Sequence, residues 1–136
     1  MIVTDSRGLV LTADERTGVI RSRCLARRGM LYSECEAVDY LLLAPGAAQD
    51  ARGQSGVELA VLVLGGSGEL SDTRRDRPAP LRPGALVLAP AGSGTVLRNT
   101  GEVELELLLI AVFPESVTGR LPIRKPVERP AGAGDG

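Results

Sequence analysis

Reactive side chains are scarce in this sequence, and their types limit the chemistry open to it. No histidine occurs among its 136 residues. Ser–His and Cys–His nucleophile pairs and imidazole-ligated metal sites therefore have no base or ligand to draw on. Proton transfer would fall to carboxylates. Glu104 and Glu106 stand two apart, which on a strand puts both on one face. Such a pair resembles a general acid–base couple, although the solvated face of a half-buried strand is the commoner reason for the pattern. Cys24 and Cys35 have no neighbouring base or metal partner and read as small core residues. Arg21, Arg23, Arg27 and Arg28 form a basic run suited to an anionic partner, balanced by Glu34, Glu36 and Asp39 into an ordinary solvated edge. Tyr32 and Tyr40 offer phenol donors that spacing alone does not place.

The composition removes whole classes of function. Tyr32, Tyr40 and Phe113 are the only aromatic residues, too few for a base-stacking platform. A net charge of −1 gives no pull toward nucleic acid or anionic lipid. The longest mainly apolar stretch, residues 105–113 with Glu106 its one charge, is far short of a membrane span. Two cysteines and an opening stretch that mixes charges throughout argue against a disulfide scaffold and a secretory leader, so a cytoplasmic setting is expected. Fifteen of the sixteen basic residues are Arg, which accompanies an Ala- and Gly-rich composition and carries no functional meaning by itself.

The elements that must carry these residues are short and extended. Residues 1–20 alternate weakly and read as edge strands or a lead-in arm, and residues 29–35 have strand character. Residues 38–43 are an apolar run closed by Pro45-Gly46. Residues 57–64 (VELAVLVL) are a second run, ended by Gly65-Gly66-Ser67-Gly68, a hairpin-like composition. Residues 71–83, with Arg74, Arg75, Asp76, Arg77 and three prolines, read as a solvated loop. Short strands follow at 85–89 and 95–97, the latter turned by Asn99-Thr100-Gly101, before the longest candidate at 103–113. Apolar residues never recur at helical spacing for three turns. The expected class is all-β, a sandwich or barrel of one domain. An N-terminal arm with edge strands (1–37) precedes the core (38–114), and a Pro- and Arg-rich extension (115–136) ends loosely from about residue 131.

The turn residues also fall into a pattern. Gly46, Arg52, Gln54, Glu58 and Gly65 are separated by five, one, three and six residues, and Gly84, Pro90, Gly92, Thr95 and Asn99 by five, one, two and three. This spacing resembles the two motifs of the cupin family, small jelly-roll β-barrels, over residues 38–114. In that family's pattern the first motif places histidines where Arg52 and Gln54 stand, and the second places one where Thr95 stands. Only Glu58 keeps a ligand type. The resemblance implies the jelly-roll barrel without its metal, since one carboxylate, an amide, a hydroxyl and a guanidinium make a poor divalent-ion site. No cofactor is expected.

Carried over residue by residue, the resemblance puts Arg52, Gln54, Glu58 and Thr95 at the barrel mouth. Ala60 and Leu62 are expected to share the inward face of Glu58's strand, and Leu97 and Tyr40 to add to the lining. The implied function is metal-independent isomerase, cyclase or lyase chemistry on a small organic molecule, in small-molecule or secondary-metabolite biosynthesis. Glu58 would be the general acid/base and Arg52 the clamp for an anion or developing oxyanion. The alternative is a small-ligand-binding or scaffold cupin without turnover, in which Arg52 and Glu58 are only an ion pair. A homodimer built through the N-terminal arm and the segment after Pro114 is expected, because a small barrel gains by covering its edge strands.

Overall fold

A computed structural model of the chain describes residues 3–27, 30, 35–50, 57–90, 92–112 and 120. All regular structure among them is strand: β1 (Val10–Asp14), β2 (Gly18–Arg27), β3 (Cys35–Leu43), β4 (Ala48–Asp50), β5 (Leu59–Gly65), β6 (Gly68–Ser71), β7 (Ala79–Leu81), β8 (Leu86–Ala89), β9 (Val96–Arg98) and β10 (Leu105–Val112). They form a six-stranded sheet in the order β1-β2-β3-β10-β5-β8 and a four-stranded sheet in the order β4-β9-β6-β7, with every pairing antiparallel. The architecture is the all-β jelly roll that the sequence pattern implies. No helix of the described residues is long and apolar enough to cross a membrane.

The core lies between the sheets and is aliphatic. Leu43, Ala47, Val61, Val63, Leu97, Leu105 and Leu107 are fully buried, and Ile20, Leu41, Leu70, Leu81 and Leu109 complete the cluster. Truncating any of the buried leucines to Ala would cost about 2–5 kcal/mol. The alternation within β10 fixes which side is which: Leu105, Leu107, Leu109 and Ala111 are buried, while Glu106, Leu108 and Ile110 look to the outer face. On β5 the buried residues are Val61 and Val63, so Ala60 and Leu62 sit on the outer face, opposite Ile110 and Leu108 respectively. The expected inward placement of Ala60 and Leu62 is thus reversed. VELAVLVL is apolar on both parities, and composition alone does not tell its two faces apart.

Corner residues carry the chain between sheets. Ala44-Pro45-Gly46-Ala47 and Arg82-Pro83-Gly84-Ala85 are matching turns, each closed by an N–H from the fourth residue to the first carbonyl (2.9 and 3.0 Å). Proline at the second position and a glycine at φ +82° or +88° at the third is the type II pattern, which a side chain at the third position would strain. The 65–68 stretch is a corner rather than a hairpin, since β5 and β6 lie in different sheets. A Cβ on Gly68 would stand 2.3 Å from the Arg98 carbonyl oxygen, so this corner closes only without a side chain. The stretch expected to be loop from 71 to 83 contains β7, in which Pro80 is tolerated because β7 is the free edge of its sheet. Of the strand expected over 29–35, residues 29 and 31–34 lie outside the described residues, as does the extension after 120.

The last corner is braced by Asn99, which is 1% exposed. Its amide donates to the carbonyls of Leu43 and Val103, both at 2.8 Å, and its side-chain oxygen accepts from the Gly101 N–H at 2.9 Å. The Asn99 backbone also pairs with Ala47 and Gly46. One carboxamide therefore ties the β3–β4 corner to the β9–β10 corner. Asn99→Ala would strand buried carbonyls and is expected to cost about 3 kcal/mol, read as a lower urea midpoint with an unchanged slope. A loss below about 0.5 kcal/mol would show that the brace is dispensable.

Candidate functional site

The four residues expected at the barrel mouth do not form one described cluster. Arg52 and Gln54 lie outside the described residues. Glu58 is exposed just before β5, its carbonyl accepting from the Val112 N–H at 3.1 Å. It borders a shallow apolar depression of about 280 Å³ on the outer side, with Ala60, Leu88, Pro90 and Val112. Thr95 is 2% exposed and points inward, two residues from the fully buried Leu97 on the same face. Leu97 is core and lines neither described cavity. Tyr40 leaves the interior altogether: it is on the outer face, paired with Leu108, and its hydroxyl donates to Glu106.

Thr95 instead meets a residue that sequence reading passed over. Its hydroxyl lies 3.1 Å from Asp72 Oδ2 and 3.1 Å from Ser93 Oγ. A carboxylate can only accept, so Thr95 gives Asp72 its single proton and takes the one from Ser93. Asp72 Oδ1 accepts from the Arg74 N–H at 2.9 Å, a side-chain turn that reverses the chain directly after β6. The Arg75 N–H donates to the Asp72 carbonyl at 2.9 Å. Gly94 lets the loop settle, because a Cβ there would stand 2.6 Å from Thr73. The Arg74 N–H above all, then the Thr95 hydroxyl and the Arg74 charge, hold the Asp72 carboxyl below its ordinary 3.8.

This polar corner closes one end of a cleft of about 460 Å³ between the edge strands β7 and β8. Leu70, Ala79, Leu81 and Val87 are its apolar floor, and Asp72, Arg74, Arg75 and Thr95 its polar end. The signal that could have found Asp72 was an Asp two residues before Arg74, directly after Leu70-Ser71. The density of arginine and proline after it masked that signal.

A second polar group decorates the outer face of the large sheet. Arg21 bridges Glu104 at 2.5 Å, beside the Tyr40–Glu106 pair. Burial first, and then the Glu106 contact, push the Tyr40 phenol up to about 12. Glu104 and Glu106 thus pair with different partners and do not act as a couple. The Cys24 and Cys35 thiols are free and half-buried, each facing a backbone carbonyl two residues on.

Of the positions that hold the metal in the family pattern, the two that are described, Glu58 and Thr95, do not converge. Among the described residues no group of three His, Cys, Asp or Glu could hold an ion. Thr95 spends its hydroxyl on Asp72, and Glu58 lines a different cavity. One carboxylate and one hydroxyl that do not meet make a poor fit for a transition ion.

Since the Asp72 pKa lies below its unfolded value of 3.8, its stabilising contribution is complete above that value. It fades as pH falls through the lower folded value. Asp72→Ala should lower the urea midpoint at pH 7, and the gap to the parent should narrow once pH is taken below 3.8. Equal midpoints at pH 7 would mean that Asp72 does not pin this loop.

No family model matches the chain, and no curated protein does. Solved structures do. A predicted oxalate decarboxylase from Thermotoga maritima is similar at TM-score 0.71 and 18% identity, over 82% of this chain and 99% of that one. A cupin 2 conserved barrel domain protein from Salinispora arenicola is similar at TM-score 0.69 and 16% identity, over 88% and 94%. A polyketide cyclase from Streptomyces resistomycificus is similar at TM-score 0.66 and 16% identity, over 82% and 79%. Together with the two-sheet arrangement and the glycines, proline and asparagine at its motif-bearing corners, these likenesses show that the chain has the cupin-type jelly-roll fold.

Proposed function

We propose that the chain is a metal-independent cupin that takes a small organic molecule into the cleft between β7 and β8. The observation that carries this reading is the cleft itself: an apolar floor running into a few convergent polar groups at one end. Its volume falls within the range of about 300–1,000 Å³ usual for small-ligand sites. Asp72, held anionic, suits the role of a fixed acceptor or orienting charge. A carboxyl with a lowered pKa is a weak proton acceptor, so the cleft favours binding over general-base work.

A second reading keeps catalysis, as an isomerase, cyclase or lyase with Glu58 moving the proton and Arg52 as clamp. The exposed Glu58 carboxylate beside Ala60, Leu88 and Val112 supports it, as does the likeness to a polyketide cyclase. One set of samples separates the two. Protein purified without chelator is expected to carry no stoichiometric transition metal. A thermal-shift screen of small organic molecules should give hits that Ala79→Phe, which fills the cleft, abolishes and Glu58→Gln leaves intact. Hits or turnover lost about 10²-fold in Glu58→Gln and kept in Ala79→Phe would favour the second reading. One metal ion per chain, lost in Glu58→Ala, would overturn the metal-free reading in both.

We also propose that the chain pairs with itself. All five residues of β1 are exposed at the edge of the large sheet, and Leu86, Leu88 and Val112 leave apolar surface uncovered at its opposite side. Light scattering across micromolar concentrations should give twice the chain mass. A monomer throughout would refute the pairing.

A further inference from the structure

We infer that the ligand of the β7–β8 cleft is an amphipathic anion, a carboxylate, sulfate or phosphate head on an apolar body, with Arg74 and Arg75 receiving the head. This rests on the proposed occupancy of the cleft and adds the chemical class of what fills it. Three features of the site lead there.

The first is that the arginine loop is anchored. Asp72 fixes it through the Arg74 N–H and the Thr95 hydroxyl, the Arg75 N–H closes onto the Asp72 carbonyl, and Thr73 rests on Gly94. The backbone that carries both guanidinium stems at the cleft edge is therefore set before any ligand arrives, which lowers the ordering cost of binding.

The second is that neither guanidinium has an ion-pair partner among the described residues. The ion pairs among the described residues are Arg7–Asp5 and Arg21–Glu104, and neither Arg74 nor Arg75 donates a side-chain hydrogen bond among them. The nearby carboxylate does not cancel them. Both Asp72 oxygens already accept hydrogen bonds, and residues 72–82 hold Arg74, Arg75, Arg77 and Arg82 against Asp72 and Asp76. Planar forks of this kind match the oxygens of a carboxylate or phosphate.

The third is the floor. Leu70, Ala79, Leu81 and Val87 present no side-chain donor or acceptor, so a ligand body with many hydroxyls would lose hydrogen bonds there. A cation would meet the arginines at the polar end. An apolar body with one anionic head satisfies both ends.

Four probes with one tail and different heads test this on the full chain: octanoate, octyl sulfate, octan-1-ol and octylammonium, followed by calorimetry and methyl NMR. The two anions should bind about tenfold tighter than octan-1-ol, with octylammonium weakest. Added salt should weaken only the anions. Arg74→Gln with Arg75→Gln, both at exposed positions, should keep the melting temperature and erase the preference. Methyl shifts should fall on Leu70, Leu81 and Val87. Octan-1-ol binding as tightly as octanoate, or an anion preference surviving the double variant, would overturn the anionic class while leaving the cleft as the site. Shifts confined to Leu62, Ile110 and Val112, or no binding by any probe, would overturn the occupancy reading as well.

Discussion

A sandwich whose chain keeps changing sheets is governed by its corners. Here the chain crosses between β3 and β4, β4 and β5, β5 and β6, β7 and β8, β8 and β9, and β9 and β10. Each crossing must turn the backbone sharply while leaving its buried N–H and C=O groups paired. Pro45-Gly46 and Pro83-Gly84 do so with a positive-φ glycine and an internal hydrogen bond. Gly68 does so by bringing backbone onto backbone, and Asn99 by supplying a carboxamide where no strand partner exists. The aliphatic core is generic by comparison. Many leucine sets would fill it, whereas few residue types can stand at these corners.

That asymmetry explains how much of the fold was legible. The residues that announced the architecture, Gly46, Gly84, Pro90, Gly92 and Asn99, are corner residues, and their spacing is the spacing of the crossings. Long apolar strands were equally plain. Of the short ones, β8 and β9 lie close to where they were expected and β4 and β7 escaped: β4 has only Ala48, Gln49 and Asp50, and β7 contains Pro80, which is admissible only because an edge strand wastes no donor. The parity of β5 was illegible for a different reason. Both of its faces are apolar, so the side that meets the core is set by pairing with β10, whose own alternation is hidden in LELLLIAV.

The site was legible in part. Thr95 is inside, as its place in the motif implies, and the acidic pair 104/106 is surface, as its spacing on a strand suggests. Asp72 was hidden because its importance comes from a contact with Thr95, twenty-three residues away, and because a charged loop looks solvated whatever one of its members does. The result is a barrel whose polar chemistry has moved. The position occupied by a ligand histidine in the family pattern holds a hydroxyl that fastens a loop, and that loop brings Asp72, Arg74 and Arg75 to the polar end of the cleft.

The place of β10 has a consequence for how the chain is made. It lies between β3 and β5, and among the ten strands of the described residues it comes last in sequence. During synthesis, β3 and β5 leave the ribosome long before the strand that joins them, each with an open edge and apolar faces. The large sheet can close only once residues 105–112 have emerged, at the cost of bringing together segments more than forty residues apart. Closure of this sheet is therefore deferred until β10 has emerged, and the waiting strands are the stage at which a nascent chain most needs protection from its neighbours.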